Sequence, residues 1–159
     1  MLNYMDKFLT AHKDEITYNV HELMTLSSIT ELEGVNEEDR KEIAGVLIHR
    51  LNKKMSLGSD VTAYYAFKVD MGERDLYAKE LKTENPYNTR GPNMEGKLPV
   101  GPICSPSKNA ILATINYTKT DNLYFVADKN KKVYFTKTNE EHINIINQLK
   151  QNSLWYEYK

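Results

Sequence analysis

The sequence predicts a single α+β domain, helical through its first half and closed by a late β-hairpin and a C-terminal helix. Three observations carry that reading. Apolar residues recur at helical spacing from the N-terminus to about residue 51. Two runs rich in aromatic and β-branched residues, Leu123-Tyr124-Phe125-Val126-Ala127 and Val133-Tyr134-Phe135-Thr136, flank the turn-forming Asp128-Lys129-Asn130-Lys131-Lys132. A chain of 159 residues suits one domain with one core. Helices gathered early and strands gathered late favour α+β over a doubly wound sheet.

Taken in order, Tyr4, Met5, Phe8, Leu9, His12 and Ile16 mark an amphipathic helix over 4–16. Asn19, three residues before Glu22, has the spacing of a capped helix start, and the helix it opens runs from Val20 to Glu33, where Gly34 ends it. The pattern repeats with Asn36 as cap, Glu37, Glu38 and Asp39 against the positive helix end, and Ile43, Ala44, Leu47, Ile48 and Leu51 as the buried stripe. Arg50, Lys53 and Lys54 suit its C-terminus. After the polar loop 56–60, Tyr64-Tyr65-Ala66-Phe67 reads as helical, and so does Asp75 to Leu81. All five prolines fall between residues 86 and 106, a long loop of the kind that is usually functional or disordered. Ser105 with Pro106 predicts a cap and first turn for a helix through Ile115. Thr138 and Glu141 form a capping box for the last helix, which carries Ile145, Ile146 and Leu149.

Composition excludes several functions. Twenty-one basic against 22 acidic residues leave a net charge of −1, without the electrostatic footprint of a nucleic-acid binder. No run approaches the ~18 apolar residues of a membrane span, and the first residues lack the basic start and apolar run of a leader, so the chain itself is not membrane-inserted. One cysteine, Cys104, excludes an intrachain disulfide and reads as a spectator thiol. His12, His21, His49 and His142 show no metal-ligand spacing, and His21-Glu22 lacks the second histidine of a zinc protease because position 25 is Thr25. The run Ser105-Pro106-Ser107-Lys108 matches S-x-x-K, but its companion motifs fail. Glycine-rich phosphate loops are missing. Neither a metal nor a cofactor is expected.

Two carboxylates remain. Glu31 falls on the helical stripe of Val20, Met24 and Ser27, whereas Glu33 falls opposite, beside Glu22, on a side read as wet. A glutamate on a buried stripe is desolvated, which raises its pKa and suits it to donate a proton near neutral pH. The same position also fits, and on periodicity alone fits better, a part-buried glutamate satisfied by an arginine or a helix N-terminus.

Six blocks extend the reading. Leu26-Ser27-Ser28-Ile29-Thr30-Glu31-Leu32-Glu33 resembles the L-A-S-I-V-E-K-E signature of the endolytic murein transglycosylases, the YceG-like family. Leu57 to Thr62 is similar to L-Q-S-D-P-T, Pro86-Tyr87-Asn88-Thr89 to P-Y-N-T, and Leu98 to Pro106 to L-P-P-G-P-I-x-N-P. Leu123 to Ala127 is similar to L-Y-F-V-A, and Phe135 to His142 to F-S-K-T-x-x-E-H. The order matches the family's. Gly58, Val61, Val100, Ser105 and Ser107, with Thr30 and Leu32 beside the glutamate, depart from it.

The resemblance implies cleavage of peptidoglycan glycan strands between N-acetylmuramic acid and N-acetylglucosamine without water, leaving 1,6-anhydro ends. Such chemistry needs one acid/base, where ordinary glycosidases use two carboxyl groups. By alignment that residue is Glu31. Ser27, Ser59, Asp60, Thr62, Tyr87, Asn88 and Thr89 become the expected groove residues, with Asp60 or Asn88 near the oxocarbenium-like centre and the proline-rich segment rimming the cleft. The resemblance also implies the catalytic part of a longer, membrane-anchored protein on the outer face of the cytoplasmic membrane, in possible contact with cell-wall synthesis proteins. A catalytically weak or inactive glycan-binding module of cell-wall synthesis is the alternative.

Overall fold

The structure is a computed structural model that describes residues 2–14 and 17–156. Among them are helices α1 (Leu2–Ala11), α2 (Val20–Glu33), α3 (Glu37–Asn52), α4 (Asp60–Phe67), α5 (Ala78–Leu81), α6 (Lys108–Ile115) and α7 (Asn139–Gln151), and strands β1 (Tyr124–Ala127) and β2 (Val133–Thr136). The α+β expectation holds. Strands β1 and β2 pair antiparallel, Tyr124 opposite Thr136 and Ala127 opposite Val133, and α7 packs on both.

Local chemistry sets the helix starts. Asn19 accepts from the Glu22 amide while Glu22 accepts from the Asn19 amide, a closed capping box. Thr138 and Glu141 repeat it at α7, and Asn36 caps α3 through the Asp39 amide. Three expectations shift. The first helix ends at Ala11, and the expected member Ile16 lies outside the described residues. Only Ala78–Leu81 of the stretch from Asp75 is helical. The cap of α6 is Ser107, not Ser105, because the Ser107 hydroxyl is the one that reaches the Ala110 amide.

Helix α2 is the centre of the molecule, packed against α3, α4 and α6. Leu26 and Ile29 meet Ile43, Leu47 and Leu51 of α3 on one side, while Leu23 meets Phe8, Ile111 and Ile115 on another. Between Leu23 and Thr30 only Met24 escapes full burial. A helix buried all round has no single apolar stripe, so the angular argument that set Glu31 inward and Glu33 outward loses its basis.

The proline-rich segment lies along α2. The Ile103 amide donates to Ser28 Oγ at 3.0 Å, and His21 Nε2 bonds the Val100 carbonyl at 2.9 Å. The histidine of the incomplete zinc pattern is therefore a loop tether. No described helix is long and apolar enough to cross a membrane.

Candidate active site

Glu31 sits where the end of α2 meets the start of α6. Its carboxylate pairs with Arg40 Nη2 at 2.7 Å and accepts from the Ser107 amide at 2.9 Å and the Ser107 hydroxyl at 2.5 Å. Burial alone would raise its pKa, but the two Ser107 hydrogen bonds and the Arg40 charge outweigh it and hold the carboxyl below its usual range. The raised pKa expected of Glu31 is not found. The residue is the satisfied glutamate of the other reading, with both an arginine and a helix N-terminus as partners. Gly34 makes room for this clamp: a Cβ there would lie 2.6 Å from the Arg40 side chain, and Arg40 Nε donates to the Gly34 carbonyl.

Glu33 has the surroundings expected of Glu31. It lines a cleft of about 370 Å³ together with Ser59, Asp60, Arg90, Tyr124 and His142. Ser59 Oγ donates to its Oε1 at 2.6 Å. Burial pushes its pKa up to about 7; the Ser59 hydrogen bond and Arg90 work against the rise, and the Asp60 charge adds to it. At neutral pH the group is divided between acid and carboxylate, the state a proton shuttle requires.

The floor of the cleft is held by residues expected to bind ligand that are instead buried. Thr62 Oγ1 bonds Thr89 Oγ1 at 2.8 Å and the Ser59 carbonyl at 2.7 Å, and the Ser59 amide donates to Thr89 Oγ1 at 3.0 Å. This knot fixes Ser59 and, next to Thr89, Arg90. Asn88 is fully buried; its Nδ2 donates to the carbonyls of Glu80 and Thr83 at the end of α5. Ser27 is fully buried in α2, its Oγ without a hydrogen-bond partner. Thr62, Asn88 and Thr89 turn inward to bond backbone and one another, and Ser27 lies inside the packing of α2, so all four side chains are buried. Of the expected groove residues, Ser59 and Asp60 share the cleft with Glu33, and Tyr87 lies in a separate groove. From the proline-rich segment only Arg90 lines the cleft, where it pairs with Asp60.

The opposite wall comes from the C-terminal third. Tyr124 stacks on His142 with centroids 5.3 Å apart, and the Arg50 guanidinium lies over the same ring. Burial, then Arg50 and Arg90, depress the His142 pKa, keeping the imidazole neutral, and its Nδ1 is buried without a hydrogen-bond partner. Arg90, Arg50, Tyr124 and His142 were missed as site residues. Tyr124 and His142 stand inside recognisable blocks, whereas no local signal marks either arginine. Among the described residues no three His, Cys, Asp or Glu side chains gather to hold a metal.

Comparison with known proteins places the chain in a family. The chain is 41% identical over 150 residues to the endolytic murein transglycosylase of Streptococcus pneumoniae serotype 2 (strain D39 / NCTC 7466), covering 89% of this chain and 26% of that protein. It is 39% identical over 145 residues to the endolytic murein transglycosylase of Bacillus subtilis (strain 168), covering 89% and 39%. It therefore spans well under half the length of these relatives. The crystal structure of a yceG-like protein from Listeria monocytogenes superposes with a TM-score of 0.80 at 38% identity, over 91% of this chain and 47% of that one. The model of the YceG-like family matches residues 1–148, and the chain belongs to that family.

Proposed function

We propose that this chain carries the catalytic machinery of a peptidoglycan lytic transglycosylase of the cell envelope, with Glu33 as its single acid/base. The observation that supports it is a carboxyl group with a pKa near 7 at the wall of a cleft, in a chain whose relatives are named for murein cleavage. Protonated Glu33 gives its proton to the glycosidic oxygen as the bond to C1 of N-acetylmuramic acid breaks. The sugar's own 6-hydroxyl closes on C1, and its proton passes to the Glu33 carboxylate, which restores the acid. Intramolecular attack needs no positioned water. Ser59 holds the carboxyl group in one orientation, and Asp60 supplies negative charge where the ring carbon turns cationic. Glu31 fixes the end of α2 against α6 and takes no part in proton transfer.

Incubating the chain with purified sacculi and reading products by mass spectrometry tests this. Expected are 1,6-anhydro ends from the unaltered chain and from Glu31→Gln, and none from Glu33→Gln. Products heavier by one water would mean hydrolysis with Asp60 as second carboxylate. Product undiminished in Glu33→Gln would sink the assignment.

A further inference from the structure

A second groove, of about 680 Å³, opens beyond the far end of α4, walled by Tyr64, Tyr65, Pro86, Tyr87 and Val100. Its apolar surface is open to solvent: Tyr65 is 45% and Val100 58% exposed. Two chain segments connect it to the cleft. Along α4, Asp60 lines the cleft, and Tyr64, one turn further on the same helix face, lines the groove. Along the neighbouring segment, Arg90 lines the cleft and Tyr87 the groove. The segments touch at both ends, through the Asp60–Arg90 ion pair and through the Tyr65 and Tyr87 rings, whose centroids are 4.8 Å apart. Groove and cleft are therefore supported by the same two segments, one at either end of their contact. Tyr65 stands five positions after Asp60 on the helix, about 7.5 Å of rise, the scale of one to two sugar rings.

We infer that this groove is a distal glycan subsite, which takes sugar units of the same strand whose scissile bond lies at Glu33; the inference rests on the transglycosylase reading. The chemistry matches. The aromatic faces of Tyr65 and Tyr87 suit the apolar CH face of a pyranose, and Asn85 on the rim suits an N-acetyl or hydroxyl group. Lys68 and Asp70 on the rim carry opposite charges, so the groove as a whole selects for no charged peptide. A strand held in both cleft and groove is gripped away from its end, which favours internal cleavage.

Binding of uncross-linked glycan oligomers of graded length to the Glu33→Gln chain tests the subsite. The single tryptophan, Trp155, lines the cleft, so its fluorescence reports cleft occupancy. Affinity is expected to rise once oligomers are long enough to reach Tyr65, and Tyr65→Ala is expected to cut that gain about three- to tenfold. Tyr65→Phe, which keeps the ring, should retain it. A gain that is equal in Tyr65→Ala, or no gain with length in the Glu33→Gln chain, overturns the subsite and assigns the groove to some other occupant. Failure of the function itself looks different: the chain with Glu33 intact then makes no anhydro product from any oligomer, whatever the binding series gives.

Discussion

Glu33 carries a sign that pH can read. In the proposed reaction the acid must be protonated before the bond breaks, and its pKa stands near 7, so log kcat/KM should fall with slope −1 on the alkaline side of about pH 7. Ser59 donates to the carboxyl group and so favours its charged form. Removing that donor in Ser59→Ala should move the alkaline limb to higher pH, measured on the same glycan substrate. Stability responds as well. A carboxyl whose folded pKa exceeds its unfolded value binds more protons in the native state between about pH 4.5 and 7, so its contribution to stability falls as pH rises through that window. Glu33→Gln lacks this cost, and its stability relative to the parent should grow between pH 5 and 8 by at most ~3 kcal/mol, read by denaturant unfolding at each pH. Glu31 has the opposite sign: its folded pKa is lowered, so its clamp stabilises above the unfolded carboxyl pKa and is lost as pH falls through the folded one. Glu31→Gln should lower Tm at neutral pH, for a loss of about 1–3 kcal/mol, because Arg40 loses its charged partner while remaining part-buried.

At the scale of elements, much was legible because it is local. Capping boxes at Asn19 and Thr138 depend on residues three apart, and the hairpin depends on two runs and the turn between them, so sequence spacing suffices. That Glu33 rather than Glu31 lines the cleft escaped the sequence, because which side of α2 meets a cleft depends on what packs around it. Helices α3, α4 and α6 enclose α2, and Glu33 emerges where the hairpin and α7 leave a gap. The burial of Thr62, Asn88 and Thr89 escaped the sequence for a related reason. A block shared with a family marks position, but it does not separate a side chain that touches ligand from one that braces the wall. Glycine 45 shows how tightly such packing is set. In α3 an alanine would gain about 1 kcal/mol of helix propensity. Here a Cβ would stand 2.0 Å from the Thr118 carbonyl oxygen, on the segment whose Thr118 amide bonds the Lys41 carbonyl. Gly45→Ala should therefore lower stability by about 1–3 kcal/mol despite its better propensity, measured as a fall in Tm.

Across the whole molecule, the cleft lies between a helical body and a smaller unit made of β1, β2 and α7. The body buries α2 on every side, whereas α7 packs on the hairpin alone among the helices and strands it meets most closely. Few polar ties join the two: Arg50 Nη1 to the Leu123 carbonyl at 2.9 Å, Asn122 to Glu42 at 3.1 Å, and Arg50 stacked on Tyr124. Elements with fewer buried apolar contacts open at lower free energy than the global transition. Native-state hydrogen exchange should therefore show β1, β2 and α7 opening together, ahead of the amides of α2 and α3. Arg50→Met removes one donor from each of the Ser56 and Leu123 carbonyls and the charge over Tyr124, while keeping the length of an apolar stem. Exchange of the hairpin amides should quicken in that variant, with α2 and α3 still opening last. Uniform exchange across both parts would instead make the molecule one cooperative unit, and the cleft would then be a rigid slot rather than a seam between two units that open at different free energies.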